Sequence, residues 1–308
     1  MSLLVDDDGV PYIQLGNYKI KLELEELTEE LKVKAAEELR ETPEIVEKGL
    51  KELKALISEE LNFDVPLDED DYLVKFLRPC KFYAKSAFAQ MQRFYRFKQK
   101  HPEYCDGLSP SRDRNMLKQG IIEFQEVRDA NGSRIMKIQS GVKWKPSVCT
   151  LGEMFRGIQI ALEAAMIEPK TQLGGVVVLL DMRGFSLNHV YQFTPSFAKM
   201  VVDWIQECIP LRLKGVHIVN QPYIFNMVFA LFKPFLRAKL RNRIHFHGEN
   251  RASLMKFIPA NALRPEFGGT MDMPEIDGPL LCDLLCKYED DYARADKFGY
   301  NKKLAKEL

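Results

Sequence analysis

The chain of 308 residues is 46% hydrophobic, 29% charged and 10% aromatic, a globular composition that excludes disordered, collagenous and simple coiled-coil chains. Lys+Arg and Asp+Glu both number 44, so the total charge offers nothing to a nucleic acid, and no such partner is expected. The distribution is uneven: residues 1–70 hold 20 acidic against 8 basic side chains, whereas residues 212–251 hold 8 basic against Glu249 alone.

Residues 1–24 read as an acidic leader, with Asp6, Asp7 and Asp8 near its start. It has no basic stretch followed by an apolar one, so secretion is not expected. Six cysteines at 80, 105, 149, 208, 282 and 286 are scattered without metal-ligand spacing, the pattern of a reduced intracellular chain. From about residue 25 to 105 the pattern is helical. Thr42 and Pro43 supply a cap and a first-turn proline, and Ile45, Val46, Leu50, Leu53, Ile57 and Leu61 repeat behind them. Further helices are predicted from near Glu69 and over 85–100, giving a small all-helical domain.

After Pro110 short β-type runs occur at 121–127, 134–139, 176–181, 216–220 and 244–247, and Asp129-Ala-Asn-Gly132 reads as the turn joining the first two. Thr150 and Glu153 form a capping box for a helix to about residue 168. Thr194-Pro195 starts another to about 208, and a third is predicted over about 222–240. Strands alternating with helices imply an α/β domain with a five-stranded mixed sheet. One more helix and a charged tail are predicted after Asp277.

No catalytic signature is complete. Gly184-Phe-Ser-Leu-Asn188 lacks the second glycine of a nucleophile elbow, and Gly174-Gly175 precedes a strand, where it cannot cradle a phosphate at a helix start. His245 and His247 share one strand face without a third ligand nearby in sequence, so hydrogen-bonded structural roles are favoured. Asp181 ends a strand without a partner group and reads as a turn residue. Cys282 and Cys286, four apart on a helix, read as core packing. The chain is therefore not expected to be an enzyme or to need a cofactor or metal.

The informative segment runs from Gln221 to Arg243. Ile224, Phe225, Val228, Phe229, Leu231, Phe232, Phe235 and Leu236 cover more than half of a helix circumference, wider than an ordinary amphipathic stripe. Its Pro222–Phe232 stretch is also the nearest approach to an uncharged run, well short of the ~20 apolar residues needed to span a bilayer. Either it lies buried in the core, or one face closes a cavity while other side chains reach a membrane. Lys233, Arg237, Lys239, Arg241 and Arg243 follow it, and at about 1 kcal/mol per cation near an anionic surface they suit reversible docking.

In order and spacing, several strings are similar to those of the CRAL-TRIO lipid-transfer family over about residues 25–275: Phe76-Leu-Arg78 with Lys81-Phe82, Asp181-Met-Arg-Gly184, Thr194-Pro195, Ile209-Pro-Leu-Arg-Leu-Lys-Gly215, Val219-Asn-Gln-Pro222, Lys233-Pro-Phe235, Arg243-Ile-His-Phe-His-Gly248 and Leu263-Arg-Pro-Glu-Phe-Gly-Gly269. The resemblance implies a family helical domain at 25–105, a lipid-binding domain at 110–275 with a mobile gate at 220–243, and a C-terminal helix and tail at 276–308. The implied pocket positions are Phe155, Ile158, Leu162, Val201, Trp204, Ile205, Ile209, Leu211 and Val216. Gln159 is a polar neighbour for the ligand head, and Ile224, Phe225, Val228 and Phe229 stand on the gate. Ile158 and Leu162 replace serines of the tocopherol-carrying members, which makes that end of the pocket drier.

The family's phosphatidylinositol bisphosphate contacts fall on Arg212, Lys239 and Arg243, while a further arginine falls on Cys80, with Lys81 beside it as the replacement cation. The resemblance thus implies a cytoplasmic carrier, reversibly at membranes, of one isoprenoid lipid resembling tocopherol. A retinoid or carotenoid carrier and a phosphoinositide-sensing adaptor without cargo are the alternatives.

Overall fold

The computed structural model describes residues 1–300, so the tail expected at 301–308 lies outside the described residues. Gly9 and Gly16, both at positive φ, let the first residues fold back on themselves as a meander of β1 (Ser2–Val5), β2 (Pro11–Leu15) and β3 (Tyr18–Lys21). Alternation turns Ile13, Leu15 and Ile20 inward, and with Leu22 they join the largest core cluster. The residues expected as an acidic leader are thus an integral sheet.

The helical region comprises α1 (Glu29–Leu39), α2 (Pro43–Glu59), β4 (Phe63–Asp64), α3 (Asp70–Leu77) and α4 (Ala84–Lys100). Thr42 caps α2 by accepting from the Ile45 amide. Leu53, Leu73, Phe76, Leu77 and Met91 fill its core. Two short helices, α5 (Pro102–Cys105) and α6 (Arg114–Lys118), lead into the α/β part.

That part is a five-stranded mixed sheet in which β5 (Ile122–Phe124) pairs antiparallel with β6 (Arg134–Gln139), and β7 (Val176–Asp181), β8 (Leu213–Val219) and β9 (Ile244–Gly248) continue parallel. Between β6 and β7 come α7 (Leu151–Met166), whose Thr150/Glu153 capping box forms as expected, and α8 (Pro169–Gly174). The β7–β8 connection carries α9 (Leu187–Val190) and α10 (Pro195–Asp203). Between β8 and β9 the helix expected over 222–240 is broken. Pro234 sits in a 3-10 turn, Lys233–Phe235, that separates α11 (Phe225–Phe232) from α12 (Ala238–Arg241).

After β9 come α13 (Arg251–Leu254), then α14 (Gly278–Cys286) and α15 (Glu289–Ala295) where one helix was expected, and β10 (Gly299–Tyr300), which pairs with β4. The two faces of the sheet differ. Ile135, Val177, Leu179 and Val219 pack tightly on Leu254, Ile258, Leu263 and Phe267. The opposite face, one residue out of register along each strand, lines a cavity.

Candidate functional site

The cavity holds about 270 Å³ and is walled by hydrocarbon. Its floor is the period-two set of the sheet: Met136 and Ile138 from β6, Val178 and Leu180 from β7, and Val216 and Ile218 from β8. Phe155, Ile158 and Leu162, spaced by a helical turn on α7, form one side. Among the side chains lining it, the Ser140 hydroxyl and the Trp204 indole are the groups with an O–H or N–H to donate. Such a site takes an apolar molecule, since a buried polar group without a partner costs about 1–3 kcal/mol.

Chain geometry shapes the next wall. After α10 the chain makes a π-helical turn, Trp204–Cys208, in which the Ile209 amide donates to the Trp204 carbonyl at 3.0 Å. Pro210 then ends the helix, since proline has no amide hydrogen to donate. The turn brings Val201, Trp204, Ile205 and Ile209 to the cavity, followed by Leu211. It is gripped from the helical region by α4, whose Gln90 side chain donates to the Ile209 carbonyl at 3.0 Å and whose Arg93 donates to that of Glu207.

The fourth wall is α11, which contributes Phe225, Val228, Phe229 and Phe232. Its other face is open: Met227 is 56% exposed, and Tyr223, in the turn just before the helix, 90%. At its start Asn220 adopts a left-handed backbone, donates to Asp181 Oδ1 at 2.7 Å and accepts from Arg251 at 2.6 Å. At its end Arg237 pairs with Glu207, its amide donates to Gln206 Oε1, and Gln206 in turn donates to the Phe235 carbonyl. This helix is therefore a short panel hung between two polar fastenings.

Twelve of the fourteen expected pocket residues meet around this one space. Gln159, expected beside the ligand, is corrected: it lies buried on another side of α7, donating to the Tyr104 carbonyl at 2.9 Å and accepting from the Cys105 thiol. Because α7 is buried on nearly every side, helical spacing does not separate ligand contacts from packing contacts. Ile224 precedes α11 and packs on the core without lining the cavity. Of the strand residues sequence reasoning named only Val216 and missed the rest, although their alternation in 136–140 and 176–182 was the available signal.

The expected cations are found in two places. Arg212 and Arg243 are near enough that, after burial, the first lowers the pKa of the second. Lys239 is exposed on α12 and lies close enough to Cys80 to act on its thiol electrostatically, although burial dominates and pushes that thiol up to about 11. Lys81, next in the chain, is exposed at positive φ. Lys214, not singled out by sequence, lies with Arg212 and Arg243.

The remaining polar candidates are occupied structurally. Asp181 accepts from the Arg183 amide and Asn220 as a turn residue. Ser186 opens α9 and bonds to His189. His217, His245 and His247 stack ring on ring, and His217 Nδ1 and His247 Nε2 share a hydrogen bond at 3.0 Å. Among the described residues no group of side chains could hold a metal, and no helix is long and apolar enough to cross a membrane.

Residues 118–269 match the model of the CRAL/TRIO domain. Human alpha-tocopherol transfer protein-like is 35% identical over 269 residues, covering 87% of this chain and 78% of the relative. Clavesin-1 of Pongo abelii is 30% identical over 242 residues, 77% of this chain and 68% of the relative. Human clavesin-2 is 28% identical over 267 residues, 86% and 81% respectively.

Proposed function

The chain belongs to the CRAL-TRIO family, and from that premise we propose that it is an intracellular carrier that encloses one hydrophobic isoprenoid and exchanges it at phosphoinositide-bearing membranes. The observation that carries this reading is the hydrocarbon-walled cavity of about 270 Å³ behind α11. A ligand burying roughly 400 Å² of apolar surface gains about 10 kcal/mol gross before the costs of association. Tight retention then needs no charged anchor and no covalent step.

The cargo we favour is tocopherol-like, in keeping with the name of the relative sharing 35% identity. Retinoids and carotenoids meet the same requirement for a largely apolar molecule. Ile158 and Leu162 leave only the Ser140 hydroxyl and the Trp204 indole to bond a ligand hydroxyl, which favours cargo with a single small polar group. Phe155 meets Phe197 and Trp204 edge to face, and these rings set the width available to a cyclic ligand group.

Release requires α11 to move. In the proposal, Tyr223 and Met227 enter the membrane interface while Arg212, Lys239, Arg243 and Lys81 meet the phosphorylated headgroup. The phosphoinositide promotes opening only as far as it binds the open form better than the closed one.

The test is native mass spectrometry of protein purified from its own cells, followed by organic extraction. One isoprenoid per chain is the expected result. Empty protein that moves no tocopherol, retinoid or carotenoid between vesicles, with or without phosphoinositide, would sink the reading.

A further inference from the structure

Four cations converge at α1 and form a basic rim. Arg212 sends one guanidinium nitrogen to the Leu173 carbonyl and another to Glu38 Oε2 at 2.9 Å. Lys214 lies 3.9 Å from the same carboxylate, and Lys34, one helical turn before Glu38 on α1, lies 3.7 Å from it. Arg243 donates to the Leu213 carbonyl alongside. Burial, then Arg212, Lys34 and Arg243, depress the Lys214 pKa despite Glu38, so these charges feel one another. Among the described residues Glu38 is the one carboxylate paired with any of the four, which leaves the group with three uncompensated positive charges.

Glu38 therefore stands where an incoming phosphate would have to go, and it is tethered there. A headgroup with one phosphodiester charge offers these cations no more than the carboxylate does, and it must also compete with an intramolecular partner. A headgroup with two phosphomonoesters offers about −1.5 to −2 per group and three acceptor oxygens on each. It can span Arg212, Lys214 and Arg243 together and leave Glu38 to solvent.

We infer that Glu38 is a specificity-determining residue, an internal competitor that restricts the basic rim to inositol headgroups carrying two or more phosphomonoesters. The inference rests on the phosphoinositide-docking reading above and deepens it by adding Lys34 and Lys214 to the seat and by giving α1 a part in selection. Soluble inositol phosphates share this chemistry with the lipid, so the test separates the two sources.

Phosphatidylcholine vesicles doped with phosphatidylinositol bisphosphate, or charge-matched with phosphatidylinositol, are sedimented with the wild-type chain and with Glu38→Gln. The wild type is expected to prefer the bisphosphate vesicles by tenfold or more, and Glu38→Gln to bind the phosphatidylinositol vesicles about fivefold better, the scale of one partly exposed ion pair. Glu38→Asp, which keeps the charge but retracts it, is expected to fall between, and it serves if Glu38→Gln folds poorly. Calorimetry with soluble inositol trisphosphate should show a clearly smaller gain for Glu38→Gln than the phosphatidylinositol vesicles do.

An unchanged preference in Glu38→Gln, with binding abolished in Arg212→Glu/Arg243→Glu, would overturn the filter and leave the docking reading standing. Bisphosphate binding that survives the double charge reversal would overturn both. Trisphosphate binding without vesicle binding would overturn the lipid as the source.

Discussion

The wall made by β6, β7 and β8 and the wall made by α11 offer the same kinds of side chain to one cavity, yet they are held in different ways. The strands are fixed by continuous backbone ladders and backed by Leu254, Ile258, Leu263 and Phe267 on their far face. The α11 panel is eight residues long, has solvent behind Tyr223 and Met227, and is fastened mainly through Asn220 at one end and Arg237 at the other. Local stability follows the density of such contacts. On the proposed function, the wall that shapes a ligand and the wall that lets it out thus divide the labour without differing in hydrophobicity.

The largest effect separates neighbours on β7. Leu179 is fully buried in the packed layer, whereas Leu180 faces the cavity. Leu179→Ala is expected to cost about 2–5 kcal/mol of unfolding free energy by denaturant titration, and Leu180→Ala distinctly less, because its neighbours on one side are already missing. Equal losses would mean that the two faces are packed alike and that the comparison fails.

Next in size is the open face of the panel. Tyr223→Asp with Met227→Asp removes side chains whose burial in an interface is worth about 1.5–3 kcal/mol each. Vesicle-to-vesicle transfer is expected to fall more than tenfold while extraction still recovers one ligand per chain. Loss of ligand together with transfer would show that these two residues support the pocket.

A pH experiment probes the edge of the rigid wall. Burial, then the imidazoles of His245 and His247, hold His217 neutral down to about 3. The unfolded chain therefore binds this proton first, near the ordinary histidine value, so stability is full above about pH 7 and declines as pH falls toward 3. The expected slope approaches 1.4 kcal/mol per pH unit below the ordinary histidine value. Between pH 7 and 5, before most carboxylates titrate, His217→Asn should flatten the decline. An unchanged slope would place the proton elsewhere.

The smallest change concerns the far fastening. Arg237 is mostly exposed and its pair with Glu207 is worth about 0.2–1 kcal/mol, so Arg237→Ala is expected to speed ligand release by up to about fivefold in stopped-flow quenching with the melting temperature nearly unchanged. The same substitution made at Arg264, buried against Glu123 in the rigid part, should instead unfold the protein at lower temperature.

Much of the α/β part was legible because its signals are local. The Thr150 cap and the strand runs at 134–139 and 176–181 each act within a turn or two, whereas the break at Pro234 was missed because the apolar run on either side reads as one helix. The acidic opening was misread because Asp6, Asp7 and Asp8 dominate the eye, while the informative alternation of Ile13, Leu15 and Ile20 is spread across two short strands. Gln159 was misplaced because period alone cannot tell which side of an all-round buried helix is hollow. The ion pairs of Glu38 with Lys214 and Arg212 join residues about 175 apart, and no local pattern reports them.

The opening sheet also sets a schedule for synthesis. β1 and β2 pack on α14, which follows them by roughly 260 residues, or on the order of 10–50 s of ribosome time. Through that interval Ile13, Leu15, Ile20 and Leu22 have emerged without the helix that helps to cover them, and β4 likewise waits for β10. Residues 278–300 thus close surfaces begun by residues 2–22, so a nascent chain stalled before residue 278 would present those apolar strands to chaperones.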